Sequence, residues 1–233
     1  MSLTLYYHPV SPPSNMVIAV LQHLNIEYEK KVIKLEEGEH KLEDYLKINP
    51  YGQVPTITDG DFCLNESIAI WRYLVQSKAE SCDFYPFADA KKVAKINALL
   101  DHLLCAYIPG VTDFVSKTSV GVAFRGLPVP SADDVEQLTQ GLKKSFDKIK
   151  FILDLSGGPY LTGENLTLAD IAYYFCSIGA LYLADGNLLD HPEIADWVQR
   201  VEETSTIAEV VKQYKETAAH YKEIIKKMIS EKA

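Results

Sequence analysis

One segment constrains this chain more than any other: NPYGQVPTITDGDFCLNESIAIWRYL, from Asn49 to Leu74. Val54 to Leu64 reads as a strand pair, with Val, Thr and Ile on either side of an Asp59-Gly60 turn of the kind that closes a tight hairpin. Pro55 nevertheless heads the first strand, and proline cannot donate to a ladder. Directly afterwards Asn65-Glu66-Ser67 sets a carboxylate and a hydroxyl at the mouth of an apolar helix, Ile68 to Val75, where one capping residue would suffice. Taken singly, Pro55 is an edge or loop proline, and Glu66 and Ser67 are caps. Together they ask what needs a backbone edge, a proline and a carboxylate so close to one another.

The texture around this segment changes once along the chain. Leu3 to Tyr7 reads as a strand, and a helix carries Val17, Val20, Leu21 and Leu24. Tyr28 to Lys34 reads as a second strand, followed by a short helical stretch at Leu42 to Leu46, the proline-headed hairpin and the helix after Ser67. The order is β-α-β-α-β-β-α over residues 1–77. Residues 78–89 are polar and include Pro86, which suits a linker, and residues 90–233 have helical spacing with no convincing strand. The expected fold class is α/β plus all-α, in two domains. In the second half, Thr167 is placed to cap a helix while Asp170 reaches back to it, and Leu166 can pack on Ile171 as a hydrophobic staple. That pattern reads first as a folding signal.

A chain of 233 residues, 47% apolar, is long enough to bury a full core in two small domains. Its net charge of -9 comes without a basic block. A nucleic-acid partner, which needs clustered Lys and Arg to replace counterions, is therefore not expected. No apolar run reads as long enough to span a membrane. Cysteines 63, 82, 105 and 176 form no CxxC pair and no zinc spacing, and MSLTLYYHPV lacks both a charged n-region and a long apolar run. The expectation is a reduced, cytoplasmic protein with buried thiols and no metal.

With these segments in view, the sequence resembles the cytosolic glutathione transferases over nearly its whole length, most closely the serine-type, theta- and delta-like members. NPYGQVPTITDGDFCLNESIAIWRYL looks like the family's glutathione-site segment, YLTGENLTLADIAYYF like its capping-box segment and HPEIADWVQRV like the helix that follows. The resemblance implies a thioredoxin-like first domain, a helical second domain supplying the electrophile side of a cleft, and glutathione bound between them. It also implies a cis Val54-Pro55 bond that leaves the Val54 amide and carbonyl free to pair with an extended peptide. Ser67, at a helix N-terminus, would meet the γ-glutamyl carboxylate and Glu66 the ammonium.

The resemblance further places the thiol-activating hydroxyl in YYHPVSPPSN, at Ser11. Tyr6 and Tyr7 would matter in a tyrosine-type enzyme but fall inside a strand, where aromatic residues pack. Ser14 is the nearer rival, standing where related enzymes often carry cysteine in an S-x-P-C-R pattern. The arginine of that pattern is replaced by Asn15, which leaves open how the loop is held. His40 matches a position that reaches the glycine carboxylate, and Gln53 can bond the peptide backbone or a carboxylate. Relatives usually have histidine or lysine beside it, so Gly52 implies one ionic contact fewer. Asp101 reads first as a solvated helix carboxylate, although it matches an acidic position that in the family approaches the γ-glutamyl ammonium across a twofold dimer interface. Of the histidines, His8 borders the loop, and His23, His102, His191 and His220 fall in no recognisable catalytic constellation.

The expected function is thiolate attack on small apolar electrophiles, with halide displacement or peroxide reduction as related outcomes. Glutathione is then a consumed co-substrate, no cofactor is needed, and the protein is a homodimer. Tyr107, Phe114, Tyr173, Tyr174 and Phe175 are candidates for the electrophile pocket, although aromatic stripes at helical spacing are commonly core. The tail HYKEIIKKMISEK could form a helix over the cleft or a solvated end. Two alternatives stay open: a non-catalytic transferase-like interaction or ligand-carrier module, and an omega-type reductase. The latter would need cysteine at position 11, where the chain has serine.

Overall fold

The computed structural model describes residues 3–183 and 192–232, so Met1, Ser2 and His191 lie outside the described residues. Strands β1 (Leu3–Tyr7), β2 (Glu29–Val32), β3 (Thr56–Asp59) and β4 (Phe62–Asn65) form one sheet in the order β2-β1-β3-β4. β1 runs parallel to β2 and antiparallel to β3, with Leu5 opposite Ile57, both fully buried. Helices α1 (Pro12–His23), α2 (Glu43–Leu46) and α3 (Ser67–Lys78) complete this half. The expected strand Leu3 to Tyr7 is observed with those bounds, while β2 is shorter at each end than the expected Tyr28 to Lys34. The hairpin turn is displaced by one residue from the expected Asp59-Gly60. Asp59 still pairs with Phe62, so Gly60-Asp61 forms the loop, with Gly60 at φ 63° supplying the left-handed residue. Pro55 falls just before β3, where its missing N–H costs the ladder nothing.

The second half is all-helical among the described residues. Asp89 caps α4 (Ala90–His102) by accepting from the Lys91 and Lys92 N–H groups, both at 3.1 Å. The chain then stays helical to Phe124. A π segment at Leu103–Tyr107 joins α4 to α5 (Ile108–Val115), and another at Ser116–Val120 leads into α6 (Gly121–Phe124). π segments leave carbonyls without their usual partners. From α7 (Ala132–Ser156), Lys148 takes the Ala106 carbonyl and the Ser145 hydroxyl takes that of Tyr107 at 3.1 Å. The stretch Ala90–Phe124 contains, contrary to the sequence expectation, an 18-residue window long and apolar enough to cross a membrane by length and composition, with a mean hydropathy of 1.3 in that window. Its Ile96, Leu100, Leu103, Tyr107, Val111 and Phe114 are nevertheless buried in the protein core.

Three further helices, α8 (Leu168–Tyr182), α9 (Pro192–Glu202) and α10 (Ser205–Ser230), close the domain. The expected capping arrangement at α8 is present and reaches further than the local pattern implies. One Asp170 carboxylate oxygen accepts from the Thr167 N–H at 2.9 Å and its hydroxyl at 3.0 Å. The other accepts from the Leu161 N–H at 2.7 Å and the Trp197 indole at 3.0 Å, so one buried side chain ties the loop, α8 and α9. Burial raises the Asp170 pKa, and the four donors oppose that shift. Replacing Asp170 with alanine strands two backbone N–H groups and an indole in the core, each costing about 1–3 kcal/mol. Chemical denaturation of Asp170→Ala should register a loss of about 3 kcal/mol or more. A loss under about 1 kcal/mol would show that these donors find other partners.

Candidate active site

A cleft of about 160 Å³ opens between the two halves. Gln53, Val54, Pro55, Glu66 and Ser67 line one side, with Pro13 from the first turn of α1, and Leu103, Leu104, Ile108 and Cys176 line the other. The segment singled out in the sequence therefore forms one wall, and the first π segment and α5 supply much of the facing apolar wall.

The Val54-Pro55 bond is cis. Among the described residues the Val54 N–H and carbonyl have no hydrogen-bond partner, whereas the preceding carbonyl is crowded. Gln53 O accepts from the Tyr45 hydroxyl at 2.6 Å and from Asn49 Nδ2 at 2.8 Å, and Asn49 Nδ2 also reaches Thr56 Oγ1 at 2.9 Å. The Asn49 side-chain oxygen Oδ1 accepts from the Tyr51 N–H at 3.0 Å and Asn65 Nδ2 at 3.2 Å. Asn49 is 1% exposed, so its amide has to be satisfied internally, and it is. The sequence reading passed over it. Gly52 is explained by its backbone: at φ 60°, a Cβ there would lie 2.7 Å from the His40 carbonyl oxygen, so no side chain fits.

At the head of α3, Glu66 has φ 65° and ψ 108°, a conformation that non-glycine residues adopt at a cost of about 1–3 kcal/mol. The side chain is exposed and the helix start has no side-chain cap. In contrast, Ser11, Asp89 and Ser131 each accept first-turn N–H groups of α1, α4 and α7. The first backbone N–H groups of α3 are thus left at the cleft, beside the Ser67 hydroxyl.

The loop before α1 gives its two serines different surroundings. Ser14 is fully buried and its Oγ accepts from the His8 N–H at 3.4 Å. Ser11 is half-buried and its Oγ accepts from the Ser14 N–H at 3.3 Å, which leaves its own O–H free to donate elsewhere. Asn15 braces the loop from within: its Nδ2 donates to Pro9 O at 2.7 Å and Ser11 O at 3.0 Å. Ser11 itself is not among the residues lining the cleft; Pro13, in the same turn, is. Tyr6 and Tyr7 lie within β1 and do not line the cleft either.

His40 sits in a short 3-10 turn, half-buried, with its Nδ1 enclosed and without a partner. Burial first, and then the charges of Lys41 and Arg125, lower its pKa. It is not among the lining residues, and nor is Asp101, which is exposed on α4. The five aromatic candidates for the electrophile pocket are core residues: Tyr107, Tyr173, Tyr174 and Phe175 are fully buried and Phe114 nearly so. Helix α10 packs against α1 and contributes no lining residue to this cleft. The expectation of buried thiols holds for Cys82 alone; Cys63 and Cys105 are exposed, and Cys176 faces the cleft, where burial pushes its thiol up to about 12.

Comparison with known proteins bears on the family and the fold. Residues 1–76 match the family model for the glutathione S-transferase N-terminal domain and residues 131–227 that for the C-terminal domain. Glutathione S-transferase 3 of Zea mays is 34% identical over 169 residues, 72% of this chain and 73% of the relative. Human glutathione transferase theta-2, solved with glutathione and an unknown ligand, superposes with a TM-score of 0.86 at 26% identity, covering 97% of this chain and 91% of that one. A delta-class glutathione transferase of Nilaparvata lugens superposes with a TM-score of 0.80 at 27% identity, covering 97% and 99%. With a thioredoxin-like first domain, an all-helical second one and these matches over both, the chain belongs to the glutathione S-transferase family.

Proposed function

We propose that the chain binds glutathione as an extended peptide along Val54, ionises its thiol at Ser11 and directs the thiolate at small apolar electrophiles. The observation that carries this reading is convergence. The unpaired Val54 backbone groups, the uncapped start of α3 with Glu66 and Ser67, and the first turn of α1 all face one cleft with an apolar far wall. The peptide backbone would complete the Val54 pairing, as in strand addition. Ser67 and the α3 amides would take the γ-glutamyl carboxylate, and Glu66 the ammonium. Gln53, in the cleft wall, suits the glycine end, to which we also assign His40 from the neighbouring turn. Leu104 and Ile108 offer the electrophile an apolar surface.

Thiol activation is within reach of these groups. Lowering a thiol pKa from about 8.5 by two units requires about 2.7 kcal/mol of preference for the thiolate. One hydrogen bond to a charged group supplies about 1.5–3 kcal/mol, and the positive end of α1 about 0.3–1 more. No metal or organic cofactor enters; the thiolate is the nucleophile and glutathione is consumed. We further propose a cytoplasmic homodimer in which Asp101, exposed in one protomer, approaches the partner's γ-glutamyl group.

Ser11→Ala should return the bound thiol toward its ordinary pKa and lower kcat/KM near neutral pH by about 10- to 150-fold. The rise of rate with pH should move to higher pH, because the thiolate then forms later. Ser14→Ala should shift the bound thiol less than Ser11→Ala does, because Ser14 is fully buried and its hydroxyl reaches the loop only through the His8 N–H. Ultraviolet thiolate absorbance against pH reads both; an unmoved titration in Ser11→Ala would remove Ser11 from the chemistry. Glu66→Gly separates binding from folding. Glycine relieves the strained φ, so thermal stability should hold or rise, while the KM for glutathione should increase about 10-fold through loss of the charged contact. Unchanged KM would assign Glu66 to the fold alone.

A further inference from the structure

The end of β1 and the tail of α10 meet at a cluster that the site description does not use. His8, 3% exposed, follows β1 directly. Its Nε2 lies 3.0 Å from Glu36 Oε2, and the Tyr221 hydroxyl on α10 donates to Glu36 Oε1 at 3.0 Å. Tyr221 also sets its ring edge-on to the imidazole, with 5.6 Å between centroids and its hydroxyl 3.4 Å from Nε2. The other imidazole nitrogen, Nδ1, lies 3.4 Å from the Val10 N–H. An N–H donor at Nδ1 fixes that nitrogen as the acceptor, so the neutral ring carries its proton on Nε2 and donates to Glu36. Burial lowers the His8 pKa despite the pull of Glu36 and keeps this neutral tautomer at neutral pH. For Glu36, burial raises the pKa, but its backbone bond, the Tyr221 hydroxyl and His8 together bring it below the usual value.

His8 is also the first anchor of the Ser11 loop. Its carbonyl accepts the Ser11 N–H at 3.0 Å and its own N–H goes to Ser14 Oγ, the residue whose N–H Ser11 caps. A continuous path of hydrogen bonds therefore runs from Tyr221 in the second domain, through the Glu36 carboxylate and the His8 ring, to the backbone that aims the Ser11 hydroxyl. We infer that Tyr221 and Glu36 are positioning residues for thiol activation, acting through His8 on the Ser11 loop from outside the cleft. The inference rests on the reading of Ser11 given above. Its content is that the hydroxyl is aimed by a contact with the C-terminal helix and not by the loop alone.

The test compares Tyr221→Phe, Glu36→Gln, Ser11→Ala and Ser11→Ala/Tyr221→Phe in the full chain. Each is titrated for the ionisation of bound glutathione, assayed for kcat and KM, and unfolded by denaturant. Tyr221→Phe removes one hydroxyl from a half-buried ring and should remain folded. It and Glu36→Gln should each raise the pKa of the bound thiol by about 0.5 unit, roughly a threefold loss of thiolate below that pKa. The KM for glutathione should change less than about twofold, because uniform binding is untouched. In the Ser11→Ala background, Tyr221→Phe should add no further shift, since residues acting in series are not additive. If Ser11→Ala loses the shift while Tyr221→Phe and Glu36→Gln lose only stability, the positioning role is overturned and the Ser11 reading survives. If Ser11→Ala itself leaves the titration unmoved, both are overturned.

Discussion

The buried amide of Asn49 is the contact on which the Val54 wall of the cleft depends. Its two donors and its acceptor span the Gln53 carbonyl, Thr56, Tyr51 and Asn65, and the Tyr45 hydroxyl joins it on the same carbonyl. Buried polar groups have to find partners, and here every nearby partner is consumed on the inner side of the chain. The next residue, Val54, is left with both backbone groups unspent and facing outward. An open recognition edge beside a sheet is normally a liability for aggregation. In this fold it is a single residue long and is walled by α3 and the helical domain.

Helix α1 provides the second fixed reference. From Ser14 to Leu21 every residue is buried, α3 is tied to it through the Trp71 indole and the Met16 carbonyl at 2.9 Å, and α8 and α10 pack along it. A helix enclosed in this way cannot tilt without disturbing the core that both halves share, so the groups at its N-terminus are held to the tolerance of close-packed interiors. Asn15 extends that rigidity into the loop by gripping two of its carbonyls. A short amide bonded to local backbone does the bracing here, at the position where the family pattern has arginine.

What could be read from the sequence was what local rules govern. The strand Leu3 to Tyr7, the hairpin, the capping residues of α8 and the helical second half follow from periodicity and caps, whose physics is confined to a few neighbouring residues. Glu66, Ser67, Val54 and Pro55 came as a group because their combination makes little sense without a common surface. The hidden parts were tertiary. Asn15, Asn49 and Asn65 look like ordinary turn or cap residues until the elements carrying their partners are assembled. Asp170 advertises its local cap but not Leu161 or Trp197. From the sequence His8 shows only that it borders the loop, because its partners lie 28 and 213 residues away. The aromatics of α8 were recognisable as apolar but not as inward-facing on all sides, since a helix buried all round shows no polar face to orient it.

The contact between His8 and Tyr221 has a consequence for the birth of the molecule. Chains emerge from the ribosome at about 5–20 residues per second, and N-terminal domains generally fold first. The sheet, the Val54 edge and the start of α3 belong to the first third of the chain and are available early. Tyr221 is translated 213 residues after its partner, so the Ser11 loop waits on the order of ten seconds or more for its last contact. During that interval the nascent chain carries one wall of the cleft without its facing wall or the finished loop, so on the reading proposed above thiol activation is the last property the fold acquires.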